Sequence, residues 1–317
     1  MKKHGVSINM PRGMTDKGIA SAIAYGAHSS ANKEKAFVWR ELAEQLQARH
    51  VAIFPLSAVR HLHKLCLYPL FTILQSGRKP RLIHDFSWSK LNKIAKAAAQ
   101  KESMHFGKAL HRLLDCILAA DLALGPTYLC KVDLADAYMR IWVRVEDVPS
   151  VDLLIPKDKA IEEQLVGFHL YILMGYMEYA DFFCTATETV KDRAITTLNR
   201  RSGAPPYLLE ALAESNPEDD PADLPTTNCK HECRWAKLYS QAWAEALAHV
   251  EVYLNDFIGI TQGGQEEHTH TTRHLFRKID DIFRPNNSTD RDRLDPIYIK
   301  TLKKGDARWS TTKTVLG

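Results

Sequence analysis

Two apolar runs that lie far apart in the chain each close on an acid: Tyr128-Leu129-Cys130-Lys131-Val132-Asp133 and Val250-Glu251-Val252-Tyr253-Leu254-Asn255-Asp256. Such a run predicts a buried strand that carries its carboxylate out to the solvent-facing end. Carboxylates delivered to one place by remote strands are how proteins hold hard divalent cations such as magnesium. Two cations can share such a site only if several carboxylates offset their mutual repulsion. One ion then activates an attacking hydroxyl while the other neutralises a phosphate leaving group. Next to Asp256, however, stands Asn255, an amide that offers an oxygen without a charge. A lone Asp133 is more often a capping or surface acid. What makes a site of the two is the second run, where Val250, Val252, Phe257 and Ile258 flank the turn and point its polar side chains out of a buried sheet.

The elements that must position these residues follow from periodicity. Residues 1 to 35 are rich in Gly, Ser and Ala and read as a loosely held extension. Phe37, Val38, Leu42 and Leu46 then recur at helical spacing from Ala36 to Ala48, and Val51 to Phe54 forms a short strand stopped by Pro55. Leu70 to Leu74, a Gln75-Ser76-Gly77 turn and Arg81 to Phe86 predict a hairpin. Lys93 to Leu118 is helical, with Leu110, Leu113, Leu114 and Ile117 on one face. Tyr128 to Val145 reads as one long strand and Leu165 to Leu173 as another. Ala180 to Leu198 is a helix with Phe183, Ala186, Val190 and Ala194 inward. Gly203-Ala204-Pro205-Pro206 and the acidic, proline-punctuated Glu214 to Pro225 cannot build a core, and they predict an exposed insertion. A helix from Cys233 to Leu247, the Val250 to Thr261 hairpin and an amphipathic helix from Thr272 to Phe283 complete the pattern, which contains no internal repeat.

Composition sets the class. With 317 residues, 45% of them hydrophobic, the chain is long enough for one large domain or two small ones around a sizeable core. The net charge is only +4, yet between Arg60 and Lys108 basic side chains face no acids except Asp85 and Glu102. A field of that sign suits a phosphate backbone, although basic solvated faces are common on proteins with other partners. The six cysteines follow no disulfide framework and suit a reducing compartment. Cys229 and Cys233 lack a second ligand pair at zinc spacing, and His268, His270 and His274 are discounted as ligands for the same reason. No apolar run approaches the roughly 18 residues of a membrane span, and the N-terminus lacks a signal segment.

In motif order from Val51 to Gly317 the chain resembles the reverse transcriptase domain of retrotransposon polyproteins. Lys79-Pro80-Arg81-Leu82-Ile83-His84-Asp85-Phe86-Ser87 with Leu91-Asn92 is similar to the fingers motif of that family. The resemblance implies that Arg81, with Lys79, contacts the incoming triphosphate. Val132-Asp133-Leu134-Ala135-Asp136-Ala137-Tyr138 is similar to the first palm motif. By that likeness Asp133 is a shared metal ligand, Leu134 lies at the nucleotide, and Tyr138 excludes a 2′-hydroxyl unless it is simply a packed core tyrosine. Leu173-Met174-Gly175-Tyr176 resembles the glycine turn that lines the nucleotide pocket, but Ala180 or Asp181 stands where the family carries proline. Val252-Tyr253-Leu254-Asn255-Asp256-Phe257 is similar to the Tyr-x-Asp-Asp hairpin with its first acid replaced. His274 to Pro285, then Lys303-Lys304-Gly305-Asp306, Trp309 and Lys313 resemble the last palm segments, with either Lys304 or Lys313 as the candidate general acid.

What the resemblance implies is an α+β fold: right-hand polymerase fingers and palm, an antiparallel palm sheet with supporting helices, and no thumb. The expected layout is an N-terminal extension and helix over 1–50, fingers over 51–127 and palm over 128–317, with a fingers return near 146–172 and an exposed insertion near 201–228. The implied chemistry is template-directed nucleotidyl transfer onto a primer 3′-end, with Asp133, Asp256 and Asn255 catalytic, Asp133 and Asp256 on the metal, and Mg2+ or Mn2+ as cofactor. Its partners would be an RNA or DNA template with primer and deoxynucleoside triphosphates, with no membrane, in the cytoplasm or nucleus. Asn255 predicts impairment, of the order of 4 to 5 kcal/mol or about a thousandfold in rate. Two rivals stay open: a catalytically inactive nucleic-acid-binding relic of a retroelement, and a protein-interaction scaffold suggested by the acidic insertion.

Overall fold

The computed structural model describes residues 5–8, 12–88, 91–93, 105–158, 160–200, 203–214, 247–284 and 295–314. In chain order its elements are α1 (Asp16–Tyr25), α2 (Ser29–Lys33), α3 (Lys35–Gln47), β1 (Val51–Pro55), α4 (Leu56–Val59), β2 (Leu67–Tyr68), β3 (Leu70–Gln75), β4 (Arg78–His84), α5 (Ala109–Ala119), β5 (Thr127–Asp133), β6 (Asp152–Leu154), β7 (Leu165–His169), α6 (Met177–Asn199), α7 (Glu210–Glu214), β8 (Ala248–Tyr253), β9 (Asp256–Gln262), α8 (Gln265–Phe283) and α9 (Ile299–Lys303). This is a mixed α+β chain with several sheets. It divides into two compact units, Met1–Glu102 with Tyr138–Phe183, and Ser103–Ala137 with Cys184–Gly317.

In the first unit β1, β7, β6 and β2 form one sheet in that order, antiparallel except for the β2–β6 pair. The helical spacing of Phe37, Val38 and Leu42 lays one face of α3 on Val51, Leu70, Leu153 and Ile155. Each such side chain contributes about 1.5–3 kcal/mol on burial. A separate hairpin pairs β3 with β4, its register shifting between Ile73 and Gln75. Where described, the first 35 residues carry regular structure that their composition did not predict, α1 and α2 among it. Thr15 caps α1 by accepting from the Gly18 N–H at 3.2 Å, and Val6 bridges to Val143.

The second unit is built on an antiparallel sheet in the order β5–β9–β8. One face of it carries Ile258 and Ile260, on which α5 lays Leu113, Cys116 and Ile117. Leu110 and Leu114, expected on that buried face, are 43% and 47% exposed. On the other face Gly259 leaves room for Cys130 and Trp309. A β-carbon there would come within 2.7 Å of the Cys130 Sγ and 2.8 Å of the Trp309 ring. Arg112 of α5 reaches the buried Glu251 of β8 through two hydrogen bonds of 2.7 Å and also meets Glu188 of α6 at 3.3 Å. Burial of that carboxylate without its guanidinium would be costly, so the pair fixes α5 and α6 to the sheet edge.

Differences from the sequence expectation cluster where regular hydrogen bonding stops. The long strand expected over Tyr128 to Val145 ends at Asp133, and Asp136 then turns with φ +52° into a 3₁₀ turn over Ala137–Arg140. Of the helix expected over Lys93 to Leu118, residue 93 belongs to a helical stretch at 91–93, residues 94–104 lie outside the described residues, and a 3₁₀ turn at His105–Lys108 leads into α5 at Ala109. Most of the acidic insertion and the helix expected over Cys233 to Leu247 lie outside the described residues.

Candidate carboxylate centre

The last pair of the β5–β9 ladder sets Asp133 opposite Asp256. Directly opposed residues of antiparallel strands hold their β-carbons about 4.5–5.5 Å apart on one face, so the two carboxylates share one side of the sheet. Asn255 joins them through the turn. Tyr253 pairs with Asp256 across the two residues Leu254 and Asn255, and Leu254 takes φ +55° to make that turn. The asparagine then donates its Nδ2 to Asp133 Oδ1 at 2.6 Å, and its carbonyl accepts the Leu134 N–H at 3.3 Å. Behind Asp133 the chain is pinned again, because its own carbonyl accepts the Tyr298 N–H at 2.9 Å.

Lys131 is the member that motif reasoning missed. It lies two residues before Asp133 and therefore on the same face of β5, and its Nζ stands 3.1 Å from Asp256 Oδ2 with both side chains 19% exposed. The signal was present in the sequence as strand alternation, i to i+2, and it calls for no motif. Its backbone N–H is fixed by the Asp306 carbonyl at 2.9 Å.

The electrostatics follow from burial. Desolvation raises the Asp133 carboxyl above its ordinary range, opposed by the Asn255 hydrogen bond and reinforced by the Asp256 charge. Asp256 is raised by the same desolvation, opposed by Lys131 and reinforced by Asp306. The set therefore consists of two desolvated carboxylates with the Asp306 charge near the second, one amide and one ammonium. Its donors do not fit a pair of divalent ions, because an amide N–H already occupies one carboxylate and an ammonium the other. Among the described residues no group of three or more His, Cys, Asp or Glu side chains gathers for a metal.

The other residues singled out in the sequence fall elsewhere. Leu134 is 4% exposed, so its side chain belongs to the core, and its N–H is spent on Asn255. Lys304 is exposed at the end of α9, whereas the Lys313 ammonium donates to the Gly305 and Arg308 carbonyls at 3.0 and 3.1 Å. In the first unit the half-buried Tyr138 stacks on Phe183 with ring centroids 4.6 Å apart. Gly175 has φ +119° and backs onto the His84 carbonyl, and Asn92 clamps its loop by donating to the Gly175 carbonyl and accepting from the Met177 N–H. The close approach that its glycine permits is thus to protein backbone.

Arg81 is exposed on β4. Lys79 pairs with Glu41 at 2.7 Å and Glu44 at 3.1 Å on α3 while its own side chain stays 54% exposed. Arg60 and Lys64 are likewise paired, with Asp16 and Asp147, so part of the basic stretch is neutralised within the fold. His268 stacks on Trp309, and His270 packs edge-on against His274. Cys66, Cys116 and Cys130 are free thiols, while Cys229 and Cys233 lie outside the described residues. Among the described residues no helix is long and apolar enough to cross a membrane.

No family model matches the chain, and no curated protein matches it. Among solved structures it is similar to the native prototype foamy virus protease-reverse transcriptase, at 13% sequence identity and a TM-score of 0.41. That likeness covers 81% of this chain and 23% of the viral chain.

Proposed function

We propose that the chain is a reverse transcriptase-like domain whose template-directed nucleotidyl transfer onto a primer 3′-end is impaired at Asn255. One observation carries this reading: two acids from remote runs meet in register, Asp133 against Asp256, at a hairpin whose turn residue bonds to the first of them. In this reading the second unit is palm-like, with Asp133 and Asp256 the surviving catalytic carboxylates. The β3–β4 hairpin of the first unit is fingers-like and presents Arg81 to a triphosphate. Mg2+ or Mn2+ would be the cofactor of the unimpaired centre, and an RNA or DNA template with primer and deoxynucleoside triphosphates its partners. The donor set as it stands favours the impaired end of the range.

The test is primer extension on poly(rA) with oligo(dT), in magnesium and in manganese. The starting chain is expected to extend slowly, and Asn255→Asp faster by about two to three orders of magnitude, the worth of one carboxylate at such a centre. A revertant as silent as the starting chain would refute the proposed cause of impairment. The second reading, an inactive nucleic-acid-binding relic, is favoured by the internal partners of both carboxylates. It predicts salt-dependent binding of primer–template with no extension even in manganese.

A further inference from the structure

We infer that Lys131 is a built-in counter-ion that keeps divalent metal out of the carboxylate centre, acting independently of the charge lost at Asn255. The inference rests on the reading of the centre given above and adds a residue to which that reading assigns no role. Three observations carry it. The ammonium stands 3.1 Å from Asp256 Oδ2, on the face of β5 that also bears Asp133. Both partners are 19% exposed, so the ion pair is only partly screened by solvent. The strand is also fixed along both edges there, by the β9 ladder on one and by the Lys131 N–H to the Asp306 carbonyl and the Leu129–Ser310 bridge on the other. The root of the side chain is therefore fixed, and the charges around its head are Asp256, which it pairs, and Asp133, on whose carboxyl it also acts.

The consequence is a centre with two locks. Asn255 withholds a negative charge from the turn and satisfies Asp133 with an N–H. Lys131 supplies to Asp256 the positive charge that a metal would otherwise bring. A cation arriving at Asp256 must displace the ammonium or bind beside it, and both weaken affinity by like-charge repulsion. Restoring the acid at position 255 should therefore recover only part of the metal affinity.

Mn2+ alone is a sufficient probe, with free ion counted by electron paramagnetic resonance during titration of the full chain at fixed pH and ionic strength. Asn255→Asp is expected to bind weakly, and Asn255→Asp with Lys131→Met at least tenfold tighter. Asn255→Asp with Lys131→Arg, which keeps the charge, should bind no tighter than Asn255→Asp alone. Lys131→Gln, which can still donate to Asp256, guards against a methionine variant that fails to fold, and it should also tighten binding in the Asn255→Asp background. If Asn255→Asp binds Mn2+ and neither neutral variant tightens it by more than threefold, the second lock is overturned while the carboxylate centre stands. If no variant binds at millimolar Mn2+, both the inference and the reading beneath it fail.

Discussion

At the scale of single residues the centre reads as one that gives up stability for its placement of charge. Desolvation raises both Asp133 and Asp256, and a carboxyl raised in the fold contributes stability that is lost as pH climbs from the ordinary carboxylate range. Asp133→Asn keeps an oxygen for the Asn255 donor and removes the buried charge. It is expected to melt higher than the starting chain at pH 7, with the gap closing as pH falls toward the ordinary value of 3.8, as followed by thermal unfolding. Glu251 is the contrasting case. Removing that fully buried carboxylate in Glu251→Ala leaves Arg112 without its main partner, and a loss of about 3–5 kcal/mol in denaturant titrations is expected. Asp133, Asn255 and Asp256 were legible in the sequence because each ends an apolar run. Lys131 was not singled out, because a lysine inside a strand is ordinarily a solvated charge, and only the register across β9 shows which acid it faces.

At the scale of elements the hairpins and helices followed their patterns, and the irregular joints did not. Phe183, Ala186, Val190 and Ala194 are buried along α6 as their spacing requires. The stop of β5 at Asp133 could not be read from Tyr128 to Val145, because apolar and aromatic residues continue past it while the pairing partner β9 begins only at Asp256. The turn was likewise disguised, since Leu254 sits at φ +55° where Gly or Asn would advertise a tight turn. Leu254→Gly should relieve that conformation and stabilise the unit by about 1 kcal/mol, net of lost packing and chain entropy. Destabilisation instead would show that the leucine side chain holds the turn. Gly259 tests the sheet's other face. Gly259→Ala drives a methyl into Cys130 and Trp309, with an expected cost of about 1–3 kcal/mol by chemical denaturation.

At the scale of the whole molecule two compact units are each assembled from separated stretches of chain. Hydropathy could not reveal that interleaving, because it depends on which remote strands pair and not on where apolar runs lie. The first unit buries His84, whose imidazole is pushed down to about 4 from 6.5 by desolvation, and His169, lowered in the same sense, packs edge-on against it. A histidine lowered in the fold contributes stability above pH 6.5 that is lost as pH falls toward 4, since the unfolded chain takes up the proton first. Unfolding midpoints should therefore drop between pH 7 and pH 5, with up to about 3 kcal/mol at stake by pH 4 for this ring alone, and His84→Phe should flatten the slope. The central claim concerns the other unit: that Asp133 and Asp256 converge on one side of one sheet, with Asn255 bonded to the first and Lys131 paired with the second. Anomalous diffraction from crystals of the Asn255→Asp, Lys131→Met variant soaked in Mn2+ tests it most directly. A peak about 2.1–2.2 Å from carboxylate oxygens of both Asp133 and Asp256 is the predicted result, and electron density placing those two side chains on opposite faces of the sheet would contradict it.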